Sequence, residues 1–99
     1  MATVKVKWLN PNEGGRKNPP PTGRYYSVAR FPDDKTWQNN AWSVIFELSP
    51  PQDVDDHKLS SGSVSFMMEN APMEKMSDYD SFEIYEGPHK VGIVFIEKS

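Results

Sequence analysis

The residues with the clearest chemical potential in this 99-residue chain are Gly14-Gly15-Arg16-Lys17. Paired glycines can bring successive backbone N–H groups into a concave nest that holds an anion, and here two cations follow at once. Arg16 can present a planar fork to a phosphate or carboxylate, which Lys17 cannot do. Arg24 adds a third charge to the same stretch, and Pro19-Pro20-Pro21 would stiffen it and lower the ordering cost of binding. Gly-Gly also makes plain turns. In that second reading Arg16 pairs with Glu13 or with a carboxylate on the body of the fold and pins the loop down. Trp37, between Lys35-Thr36 and Gln38-Asn39, is expected at the surface, whereas Trp42 alternates with apolar positions and is expected inside. The candidate ligand or partner site is therefore Gly14, Gly15, Arg16, Lys17, Arg24 and Trp37.

Other chemistry finds little support. His57 follows Asp53, Asp55 and Asp56, but a calcium loop also needs a mid-loop Gly and a distal bidentate Glu, and this stretch has neither. It reads as a solvated acidic loop, and His89 reads as an exposed turn residue. There is no Gly-x-Ser-x-Gly elbow, no His-Glu-x-x-His and no phosphate loop. Glu83 and Glu86 could lie near each other, yet carboxylates on a hairpin usually just face water. Cysteine is absent, which excludes disulfides, zinc knuckles and a thiol nucleophile. The expectation is a chain that is not an enzyme, holds no cofactor or metal and turns over no nucleotide.

Net charge is −3, but its distribution is uneven. Residues 1–30 carry six basic residues against Glu13, giving +5, and residues 31–99 carry five basic against thirteen acidic, giving −8. Either oppositely charged elements sit side by side in the fold, or one end offers a positive patch to an anionic partner. The opening MATVKVKW alternates and lacks the apolar core of a signal peptide. The apolar run around Val91–Ile96 is far short of the ~18 residues of a membrane span. A small soluble cytoplasmic domain is expected.

Nine Pro and six Gly argue against a helical bundle, because both break helix interiors. Period-two alternation marks strands instead, at Thr3–Trp8, Tyr25–Phe31, Trp42–Leu48, Ser63–Met68, Ser81–Tyr85 and Val91–Ile96. The last two are joined by the turn Glu86–His89, as in a hairpin. Loops fill Asn10–Gly23, Ser49–Ser61 and Asn70–Asp80. Six antiparallel strands around one core predict an all-β fold, a small closed barrel spanning residues 1–99, since closure removes exposed edges. Val6, Trp8, Val44, Phe46, Phe66, Phe82 and Ile93 are the expected core.

The order of these elements resembles the third, C-terminal β-barrel domain of translation elongation factor Tu. The strand Val4–Leu9 runs into Glu13-Gly14-Gly15-Arg16, a tetrapeptide found at this place in that domain, and Pro19 follows. Gly23 with Tyr25-Tyr26 is similar to the family's Gly-Tyr-Arg-Pro, and Phe82-Glu83-Ile84-Tyr85-Glu86-Gly87 with Val91-Gly92 to its closing hairpin. The family's Arg-Thr-Thr-Asp-Val-Thr-Gly and Pro-Gly-Asp segments are replaced here by Arg30-Phe31-Pro32-Asp33-Asp34 and Trp42-Ser43. Neither the G domain nor the second barrel is present in the chain, so GTPase activity is not expected. The resemblance implies a stand-alone adaptor barrel, with Arg16 and Lys17 matching the stretch that faces transfer RNA.

Two functions follow as expectations. The first is a non-catalytic interaction module that binds another protein or its own copy, through apolar side chains expected outside at Ile45, Met67, Met73 and Met76. The second is binding of RNA or another anion through the Gly14–Arg24 loop, related to translation. Neither requires a membrane.

Overall fold

A computed structural model describes residues 2–16, 21–32, 42–69, 71 and 74–97. Lys17, Trp37 and Met73 lie outside them. The strands are β1 (Ala2–Trp8), β2 (Gly23–Arg30), β3 (Trp42–Leu48), β4 (Gln52–Val54), β5 (His57–Phe66), β6 (Ser81–Glu86) and β7 (His89–Ile96). A 3-10 turn at Pro11–Glu13 and a four-residue helix, α1 (Lys75–Asp78), complete the described elements. All pairings are antiparallel, and the sheet order β1-β7-β6-β2-β3-β5 closes on itself because β5 also pairs with β1. The fold is the expected six-stranded closed barrel, with β4 as one extra strand.

Alternation decides which side chains fill it. Val4, Val6 and Trp8 of β1 point inward, as do Tyr25 and Ala29 of β2, Val44, Phe46 and Leu48 of β3, Val64 and Phe66 of β5, and Phe82 and Ile84 of β6. Aromatic rings close both ends. Trp8, Tyr25 and Phe46 meet at one end, where Trp8 Nε1 donates to the buried Ser60 Oγ at 2.8 Å. Phe31, Phe66, Phe82 and Tyr79 meet at the other, with Phe31 and Phe82 centroids 4.7 Å apart.

Several expectations are corrected. Ile93 is not in the core. Ile84 faces Gly92 while Tyr85 faces Lys90, so Val91 is an extra residue, and Val91 and Gly92 are buried in succession. This bulge flips the alternation, sending Val94 and Ile96 inward and Ile93 and Phe95 outward.

The stretch Ser49–Ser61 is not a loop. β4 and the start of β5 form a hairpin whose two-residue turn, Asp55-Asp56, has both residues left-handed, at φ 47° and 66°. Such turns match the twist of the flanking strands, and Asp tolerates this region better than most residues. β3 and β4 are one interrupted strand, since both lie along β5. Leu48 faces Gly62 but Gln52 faces Leu59, so the register slips by one residue across Ser49-Pro50-Pro51, where proline supplies no N–H to the ladder.

Met76 is buried under the barrel rather than exposed. Met68 is exposed, because β5 ends at Phe66 before the alternation reaches it. Trp42 is half-buried, edge-on to Phe66.

Candidate functional site

The Asn10–Arg16 segment folds as the plain-turn reading requires. Glu13 N–H donates to the Asn10 carbonyl at 2.8 Å, Gly14 N–H to that of Pro11 at 3.1 Å, and Gly15 N–H to that of Asn10 at 3.1 Å. Both glycine N–H groups are thus spent within the loop and do not converge on a ligand. Gly14 takes φ 86°, where glycine is favoured. Gly15 lies so close to Leu9 that a Cβ there would stand 2.1 Å from the Leu9 carbonyl oxygen. The pair turns the chain sharply and presses it onto the end of β1.

That turn aims Arg16 back over the Trp8–Tyr25–Phe46 end of the barrel. Its guanidinium pairs with Glu86 through Nη1 and lies 5.6 Å from the centre of the Tyr25 ring. Arg16 Nε is buried without a hydrogen-bond partner among the described residues, so Nη1 and the ring contact carry the attachment. The Tyr25 hydroxyl donates to the same Glu86 carboxylate, and burial, with Glu86 second, pushes the phenol well above its ordinary pKa. The β2–β6 seam is short, running only over Val28–Arg30 against Glu83–Tyr85. Arg16, Tyr25 and Glu86 extend it beyond the last ladder pair. Beside them is an open depression of about 240 Å³ lined by Gly15, Arg16, Glu86, His89 and Val91.

Arg24 is also partnered, donating from Nε to Glu47 at 3.0 Å across the β2–β3 pair. Lys5 lies 3.7 Å from Glu97. Basic residues of the first third therefore pair with acidic residues of the remainder, which is the side-by-side explanation of the charge asymmetry. The structure brings Gly14, Gly15 and Arg16 together; Arg24 stands apart on the outer sheet.

Glu86, Tyr25, Asn10 and His57 are members of this region that sequence reasoning missed. Glu13 accepts from Asn10 N–H and from His57 Nε2, each at 2.8 Å, and Asn10 Nδ2 donates to the Asp56 carbonyl at 3.1 Å. The Asp55-Asp56-His57 turn thus tethers the glycine loop instead of standing free in solvent. The Asn10 N–H first, and His57 second, hold the Glu13 carboxyl below the usual range. A lowered carboxylate pKa stabilises above the ordinary value and loses that contribution as pH falls through the lowered one. In a carbon-detected NMR titration Glu13 is expected to titrate below the ordinary ~4.3. His57→Ala should return it only part of the way, since the larger cause remains. A midpoint at or above the ordinary value would show that the tether does not form.

No protein family, no curated protein and no solved structure matches this chain. With Arg16 and Arg24 paired and the glycine N–H groups spent, the described loop serves as a clasp on the barrel end. No described helix is long and apolar enough to cross a membrane.

Proposed function

We propose that this chain is a non-catalytic interaction barrel that binds protein partners through its outer sheet faces, in a cytoplasmic setting. Kinship with the third domain of elongation factor Tu, and through it a link to translation, is part of the proposal. It rests on the motifs around Glu13–Arg16 and Phe82–Gly92 and accords with the closed barrel.

The observation that carries the reading is an apolar patch on the outside of β6, β2 and β3. Tyr26 faces Ile45 in register, and Val28 faces Tyr85. Tyr26 is 51% exposed, and the other three are half-buried, although all four sit on the solvent side of the barrel. Tyrosine is favoured in such places because it offers a rigid apolar face with a polar tip. Arg16 and Arg24, by contrast, are held by Glu86 and Glu47.

Capture of partners from native lysate by the immobilised chain tests this, with washes at low and high salt. Binding should survive high salt and Arg16→Ala, and fall with Tyr26→Asp. Arg16→Ala should instead lower stability by about 1–2 kcal/mol, the worth of a charged hydrogen bond reduced by solvent around Glu86. Capture lost in high salt and in Arg16→Ala, but kept in Tyr26→Asp, would give the function to RNA or another polyanion, since phosphate contacts weaken steeply with salt.

A further inference from the structure

The turn that tethers the glycine loop carries an imidazole with an acceptor at each ring nitrogen. His57 Nε2 lies 2.8 Å from Glu13 Oε1, and Nδ1 lies 3.3 Å from the Asp55 carbonyl oxygen. A neutral imidazole has one N–H and can serve only one of them, whereas the imidazolium serves both. The His57 side chain is 20% exposed, so water is a poor substitute partner. The charged groups around it come from every neighbouring element. Glu13 belongs to the glycine loop, Asp55 and Asp56 to the turn itself, and Lys58 is taken up by Asp53 of β4 at 2.6 Å. Lys7 of β1 lines an open depression of about 200 Å³ together with His57 and Asp55. Lys7 opposes a charge on the ring without a hydrogen bond to it, while Glu13 meets the ring directly.

We infer that His57 is a proton-operated latch: the doubly protonated ring locks the β4–β5 turn to the glycine loop, and loss of one proton loosens that loop. The closed latch belongs to a window of pH. As pH rises through about 5–8, where imidazole ordinarily changes charge, one ring donor is lost. As pH falls through the lowered titration of Glu13, the charged acceptor is lost. Asn10 passes on the state of the latch. Its N–H donates to the Glu13 carboxylate, its side chain donates to the Asp56 carbonyl, and its own carbonyl accepts from Glu13 and Gly15 N–H. Gly15 leads straight into Arg16, so the latch sets how firmly Arg16 is held on Glu86. The device is independent of which partner the outer faces take.

Solvent exchange of amide protons, followed by NMR on the full chain from about pH 5 to 8, tests the latch. Rates are expressed as protection factors, so that the pH dependence of exchange chemistry cancels. Protection at Asn10, Glu13 and Gly15 should fall about three- to tenfold as the ring's own nitrogen shifts report loss of charge, because charge-assisted bonds are about twice as strong as neutral ones. Val44 and Val94 in the barrel wall should not respond. His57→Gln keeps a donor without a titrating charge and should abolish the step, as should Glu13→Gln. His89→Gln, at the depression on the other side of Gly15, should leave it intact. Thermal melts verify that each variant is folded, and Glu13→Gln decides the matter should His57→Gln fail to fold. A wild-type loop equally protected across the range would overturn the inference. So would a step that survives either His57→Gln or Glu13→Gln, or one that disappears in His89→Gln.

Discussion

Gly62→Ala is expected to destabilise the barrel by about 3 kcal/mol, the upper end of overpacking costs. Gly62 of β5 is paired on both sides, facing Val4 of β1 and Leu48 of β3. A Cβ built there stands 1.9 Å from the Glu47 carbonyl oxygen, 3.0 Å from its carbon and 3.1 Å from Leu48 Cα. These are backbone atoms, so no rotamer change relieves the overlap. β3 must separate from β5 just before the ladder is interrupted at Pro50-Pro51. Ala would gain up to about 1 kcal/mol by restricting the unfolded chain, which is too little to offset the clash. Urea unfolding measures the loss, with Ser61→Ala as the exposed neighbour expected to change stability by less than ~0.5 kcal/mol. A Gly62→Ala protein as stable as wild type would mean that the β3–β5 pairing is wrongly placed.

Phe46→Ala is the second large loss, about 3–5 kcal/mol. Phe46 is fully buried, faces Tyr25 and Val64 in register, and its ring centroid lies 5.9 Å from that of Tyr25. Removing the ring leaves a cavity under the Trp8–Tyr25 end, and strands held by two ladders each cannot collapse into it. For a domain of this size each kcal/mol corresponds to about 4–8 °C, so the melting temperature should fall by well over 10 °C. Ile45→Ala, one residue earlier on the opposite face, should cost much less. Equal losses would contradict the inward assignment of Val44, Phe46 and Leu48.

Those two positions also show what the sequence made legible. Strict alternation in β1 and β3 was enough to place Val6, Trp8, Val44 and Phe46 inside, and six alternating runs were enough for a barrel. Alternation has no phase across a bulge, however, so Val91 moved Ile93 from the expected core to the outer face. β4 was invisible because all three of its residues are exposed and prolines and aspartates surround it. The partner of Arg16 was legible only as a class, a barrel carboxylate. Glu86 is 70 residues away, and only the β6–β7 register and the turn at Gly14-Gly15 bring the two together. The same turn shows why a glycine pair is a poor guide to anion binding: its N–H groups were already committed to Asn10 and Pro11.

The central claim is that the outer sheet faces, and not the glycine loop, make the functional contact. Amide shift mapping tests it most directly, with the captured partner titrated into isotope-labelled chain at physiological salt. The expected result is movement at Tyr26, Val28, Ile45 and Tyr85 with Gly14, Gly15, Arg16 and Arg24 unchanged. Shifts concentrated at Gly14–Arg16 and Arg24, with the outer face still, would contradict it.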